Sequence, residues 1–133
     1  MNENMPGFLK AFFGGVIALA TFLWGVPDVW LYTLLAFIAL DYITGVIGAA
    51  LSHTLSSAVG FKGILKKMLF LIVVAVAHLI DNAMAAGGVL RTAVIGFLLA
   101  NEGISILENC ARCGLPVPKK LIAVLEQLKG KHE

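Results

Sequence analysis

Four apolar stretches, at about 8–26, 29–51, 68–86 and 89–107, dominate the chain. Each approaches the roughly 20 residues that an α-helix needs to cross a bilayer core. Within lipid, a stretch that long satisfies its backbone N–H and C=O groups by closing into a helix. The expected fold is therefore an all-α integral membrane protein with four transmembrane helices. A three-span version, with the first block lying along the interface, is the alternative, because Lys10, Gly14 and Gly15 weaken that block. Composition agrees: the chain is 59% hydrophobic and 14% charged, against about 45–50% and about 25% in an ordinary soluble domain. Residues 1–110 form the expected transmembrane unit and residues 111–133 a water-soluble tail, too short for a catalytic domain of the usual size of about 50 residues or more.

Turn chemistry sets the boundaries. Gly25, Pro27 and Asp28 end the first span, since proline cannot continue a helix interior. Trp24, Trp30 and Tyr32 cluster around that turn, where amphipathic rings favour the headgroup layer. The first block resembles a secretory signal, but Trp24-Gly25-Val26-Pro27 makes a poor cleavage site, so the block is expected to be retained. The stretch Ser52 to Lys67, polar at first and then carrying Gly60, Gly63, Lys62, Lys66 and Lys67, reads as a surface loop. Gly87-Gly88 allows the turn between the third and fourth spans, with Arg91 able to snorkel just beyond it. From Pro118 to Lys129, Leu121, Ile122, Leu125 and Leu128 share one helical face. This predicts a short amphipathic helix that lies on the membrane, packs against a copy of itself, or frays in water.

Four spans place Lys10, Lys62, Lys66, Lys67, Arg112, Lys119, Lys120, Lys129 and Lys131 on one side and Arg91 on the other, nine of the ten Lys and Arg residues. The positive-inside rule then puts both termini and the Ser52 to Lys67 loop in the cytoplasm. Lys62, Lys66, Lys67, Lys119 and Lys120 are the expected basic anchors there. A net charge of +2, with no single basic patch, gives no reason to expect nucleic acid as a partner.

Polar groups inside the spans are the candidate functional residues, because each is costly in lipid. Asp41 sits mid-span, at a cost of about 2.5–3.5 kcal/mol on the insertion scale. Thr44, Gly45 and Gly48 lie near it on one face, and small residues there, like Gly96 in the fourth span, permit close helix approach. Asp41 either bonds a neighbouring helix in its protonated form or lines a water-filled path. His78, Asp81 and Asn82 share a face of the third span, as a proton relay or an interhelical hydrogen-bond pair. Asn101, Glu102, Ser105, Glu108 and Asn109 form a stripe along the fourth span that should face protein or water.

Catalytic and metal chemistry find no candidates. Cys110 and Cys113 have a redox or zinc spacing, but no second Cys pair accompanies them and no βαβ context surrounds them, so reduced thiols are expected. Phosphate-loop, nucleophile-elbow and metalloprotease motifs are missing from the sequence. No cofactor and no enzymatic activity are expected.

Three runs, Leu40-Asp41-Tyr42-Ile43-Thr44-Gly45, Gly60-Phe61-Lys62-Gly63-Ile64-Leu65-Lys66-Lys67 and Asn101 to Asn109, followed by Gly114-Leu115-Pro116-Val117-Pro118-Lys119-Lys120-Leu121, carry a family likeness. From about Trp30 to Lys129 the chain resembles the toxin-secretion and phage-lysis holins. The resemblance implies a protein of the bacterial host's cytoplasmic membrane that forms homo-oligomers and opens lesions. Through these a cytoplasmic endolysin escapes and the host lyses, or a large toxin is released. In the closed state, Asp41, the His78 and Asp81 face and the Glu102 stripe are expected to satisfy one another. A small ion or proton channel, or a transporter subunit, is the rival reading, as is an assembly subunit without a pore.

Overall fold

The computed structural model describes residues 2–130, so Lys131 of the charge tally lies outside the described residues. Five helices follow in order: α1 (Gly7–Trp24), α2 (Val29–Leu51), α3 (Ser57–Met84), α4 (Val89–Arg112) and α5 (Lys119–Leu128). The first four are long and apolar enough to cross a membrane. The chain is a multi-pass membrane protein with a short C-terminal helix.

Local chemistry starts and stops each helix. Asp28 caps α2 by accepting from the Leu31 N–H at 2.9 Å, and Ser56 caps α3 by accepting from Val59 at 3.2 Å. The Ser56 cap lets α3 begin at Ser57, whereas the sequence reading placed its start near Met68. The expected surface loop is thereby reduced to a short connection ending at Ser56, and Lys62, Lys66 and Lys67 ride on the first three turns of α3. Three helices end in the same left-handed hook, in which two successive N–H groups reach back to the last turn. For α2 these are His53 to Ala50 and Thr54 to Ala49; for α3, Ala85 to Asn82 and Ala86 to Asp81; for α4, Gly114 to Ala111 and Leu115 to Cys110. Only the last uses glycine at the positive-φ position; His53 and Ala85 adopt φ 55° and 48°.

α4 is the hub, packing against α2, α3 and α5, while α1 lies chiefly along α3 and reaches the core through Trp24 at its end, and α2 barely meets α3. The buried apolar core is small: Leu34 of α2, Val74 of α3, and Ile95 and Leu98 of α4, with Trp24, Ile38, Phe70, Val94 and Leu99 against it. Most large apolar side chains, among them Phe8, Phe12, Phe22, Ile43, Ile72 and Phe97, point outward. In water that surface would drive aggregation; in a bilayer it is the lipid face. Because lipid removes the hydrophobic drive between helices, close packing and polar bonds must hold them together. α3, at 28 residues, is roughly 42 Å long against a core of roughly 30 Å, so it tilts or projects from it.

Candidate functional site

Two polar clusters lie on opposite sides of the apolar core layer. The first lies toward the end of the bundle that carries the Ser52–Ser56 connection and α5, called here the tail end. Lys67 reaches from α3 between two carboxylates, bonding Asp41 of α2 and, at 2.6 Å, Glu102 of α4. Asp41, Glu102 and Asn109 are buried, Glu102 completely. Asn109 donates to the Asp41 carboxylate at 3.0 Å, to the Asp41 backbone carbonyl at 3.2 Å and to the Thr44 hydroxyl at 3.0 Å. Thr44 in turn donates to the Leu40 carbonyl of its own helix. Arg112 bonds the Asn109 side-chain oxygen, and Asn101 donates to the other Glu102 oxygen at 3.4 Å. The Lys67 ammonium also lies 5.1 Å from the Phe70 ring centre, close enough for a cation–π attraction.

Charge explains why Lys67 leaves the surface role assigned to it from sequence. Two buried carboxylates on facing helices would repel and go unpaired, and a single ammonium between them offsets part of both penalties. Lys67 is thus a partly buried ion-pair partner, a correction to its reading as a surface anchor, while Lys62, Lys66, Lys119 and Lys120 are exposed. With Arg112 one amide away, two acidic and two basic groups balance formally. A crevice of about 430 Å³ runs from Thr54, Leu55 and Ser56 past Ser105 and Asn109 to Asp41, Lys67 and Glu102. Tyr42 borders it, its hydroxyl 3.3 Å from where a Cβ on Gly60 would stand.

The second cluster gathers at the turn end, where α1 meets α2 and α3 meets α4. Arg91 makes a forked bond to Asp28 at 2.8 and 3.2 Å and donates through Nε to the Trp24 carbonyl at 2.8 Å. It is buried and internally bonded, which corrects the expectation that it snorkels to water: its guanidinium finds a carboxylate and a helix-end carbonyl nearer than the interface. The same guanidinium holds the Asp28 carboxyl below its ordinary value of 3.8, against a smaller opposing effect of burial. Asp81 accepts from the backbone N–H groups of Leu90 and Arg91 at 3.0 and 2.7 Å. α4 has no side-chain cap of its own, since Gly88 precedes it; the carboxylate of α3 supplies one. His78 bonds Asn82 at 3.2 Å, so it does not pair with Asp81. Gly25, Asp28, His78, Asp81, Asn82 and Arg91 border a cavity of about 530 Å³.

The expectation that Asp41, the His78 and Asp81 face and Glu102 satisfy one another is therefore corrected. Asp41 and Glu102 meet through Lys67, and Asp81 serves a different cluster, with Leu34, Val74, Ile95 and Leu98 as the apolar layer between. A Cβ on Gly45 would lie 3.6 Å from the Asn109 amide, and one on Gly48 3.8 Å from the Cys113 sulfur. Both glycines therefore face α4. Gly96 faces open space, and the close approach occurs instead at Gly103, where a Cβ would lie 3.3 Å from Leu125 and 3.5 Å from Phe37. Sequence reasoning missed Gly103, the Asp28 to Arg91 clamp and the ion-pair role of Lys67. Of these, only Asp28 carried a local signal: the sequence reading makes it part of the turn ending the first span, and its place just before the second apolar run could also have marked it as a helix cap. Cys110 and Cys113 are free thiols, and among the described residues no group of three His, Cys, Asp or Glu could hold a metal ion.

Comparison with known proteins bears on what these clusters serve. The sequence profile of the bacteriophage holin family matches residues 7–130. A 14.9 kDa protein of Clostridium perfringens is 46% identical, the match covering 97% of this chain and 98% of that protein. A Listeria monocytogenes protein is 43% identical over 97% of this chain and 94% of its own length. A protein of Bacillus phage phi105 bearing the description "Probable holin" is 43% identical over 71% of this chain and 70% of its own. No solved structure matches the chain.

Proposed function

Because the chain belongs to the bacteriophage holin family, we propose that copies of it assemble in a bacterial cytoplasmic membrane and open lesions through which a cytoplasmic endolysin, or a large toxin, leaves the cell. The observation that carries this reading is the buried Asp41–Lys67–Glu102 cluster. In one subunit it is satisfied internally and the exterior stays apolar, so the subunit is at home in lipid. Rearrangement that separates α2, α3 and α4 turns the same groups toward water, and a wet lesion wall is where charged side chains cost least. Any charge displaced through the membrane field is worth about 2.3 kcal/mol per 100 mV, so the equilibrium between the two states responds to membrane potential.

Orientation follows the basic residues. With Lys67 withdrawn into the bundle and Arg91 bonded internally, Lys10, Lys62, Lys66, Arg112, Lys119 and Lys120 still favour a cytoplasmic tail end and cytoplasmic termini. The crevice that reaches Glu102 then opens toward the cytoplasm. That crevice also favours a second reading, a small ion or proton channel, because one apolar layer separates it from the cavity at the turn end.

Induced expression in a bacterium, with and without a cytoplasmic endolysin, separates the two. The holin reading predicts abrupt collapse of membrane potential, release of a large cytoplasmic enzyme, and lysis only when endolysin is present. Slow, ion-selective depolarisation with no endolysin-dependent lysis would favour the channel.

A further inference from the structure

α5 folds back onto α4 so that Leu125 fills the notch left by Gly103, beside Phe37 of α2. Gly103 lies nine residues before Arg112, roughly 13 Å along the helix from its end. Among the described residues the α5 backbone comes close to no helix but α4. Its tether is thin: Pro116 and Val117 make no backbone hydrogen bond among the described residues, and Gly114 turns the chain at φ 90°. At 10 residues, α5 is shorter than the roughly 12–15 that an isolated helix needs in water, so its helicity depends on docking.

We propose that α5 is an exchangeable segment: it leaves its own α4 and seats Leu125 in the Gly103 and Phe37 notch of a second copy of this chain. The proposal rests on the self-assembling reading above and names the contact that joins the copies. A transferred α5 makes the same contacts in its neighbour that it makes at home, so exchange costs little once the tether extends. Each copy offers one donor segment and one acceptor notch, so exchange runs head to tail into rings or open chains. The occupant is a second copy because α5 already shows the fit, down to a glycine whose Cβ would crowd the seated leucine. Docked or exchanged, α5 keeps Leu121, Val124 and Leu128 exposed beside Lys119 and Lys120, a face suited to lipid rather than to the notch. Exchange competes with re-docking on the parent chain, whose short tether gives an effective concentration in the millimolar range. It therefore sets in when the membrane becomes crowded with copies.

The test uses two differently tagged full-length chains in a Cys110→Ser, Cys113→Ser background, one carrying Gly103→Cys and the other Leu125→Cys. They are co-expressed and treated in intact membranes with a short bis-maleimide. The expected product is an adduct bearing both tags, rising with expression level, while a single chain carrying both substitutions gives an internal bridge at low expression. An internal bridge without any two-tag adduct at high expression overturns the proposal. So does the loss of both, which places α5 on lipid. As an independent measurement, a chain lacking residues 115–133 should lose the ladder of crosslinked oligomers, and an unchanged ladder overturns the exchange. A two-tag adduct without endolysin-dependent lysis would leave the exchange standing and remove the holin reading; lysis without the adduct would do the reverse.

Discussion

Lys67 shows how one side chain can change sides of the ledger between sequence and structure. In sequence it closes a run of three lysines and reads as a surface charge; in the fold it is the cation shared by Asp41 and Glu102, which lie 26 and 35 residues away along the chain. Lys67→Met leaves two buried carboxylates unpaired and should destabilise the bundle by about 3–5 kcal/mol, read as a fall in midpoint on thermal unfolding in detergent. Replacing all three together, as Asp41→Leu, Lys67→Met and Glu102→Leu, should restore stability to the wild-type level or above, since apolar groups of similar size often match a buried ion cluster. A triple variant as unstable as Lys67→Met would contradict this. At the turn end, the Arg91 guanidinium lowers the Asp28 carboxyl. A lowered folded-state value means that this stability is present above about pH 3.8 and is lost as pH falls through the lowered value. Asp28→Asn keeps the α2 cap and removes that acid-dependent loss, so the difference in melting temperature between wild type and variant should shrink in acid. A constant difference across the pH range would contradict the clamp.

At the scale of helices, Ala85 ends α3 at φ 48°, a conformation that costs an L-residue roughly 1–2 kcal/mol and glycine nothing. Ala85→Gly should raise stability by about 1 kcal/mol, checked by the same melts. Asp81→Ala removes the carboxylate that caps α4 from outside, and should cost about 1–3 kcal/mol with faster hydrogen exchange at Leu90 and Arg91. The spans themselves were legible because long apolar runs in lipid leave the backbone little choice. The start of α3 was not. Ser56 can cap a helix or end a polar loop, and Gly60, Gly63 and the lysines that follow favour the loop when read by composition. What decides for the helix is tertiary: Tyr42 packs over Gly60 and Gly63, and Lys67 meets its two carboxylates only if α3 is already wound there.

At the scale of the whole molecule, the chain is an inverted protein, with apolar side chains outside and two polar clusters bracketing a thin apolar layer. Its candidate residues were visible as exceptions, since a lone Asp41 or Glu102 in an apolar run calls for a partner. The division of those exceptions into two clusters was not, because it depends on α4 packing against both α2 and α3. Under the proposed function, the tail-end cluster is the element that holds the closed subunit together and supplies charge to the lesion. The measurement that tests this most directly is the onset of lysis, with endolysin present, for the triple apolar variant against wild type at matched membrane levels. The variant should insert and accumulate normally yet lyse the culture at a displaced time or not at all. Lysis at the wild-type time would show that the buried charges hold the fold alone and take no part in opening.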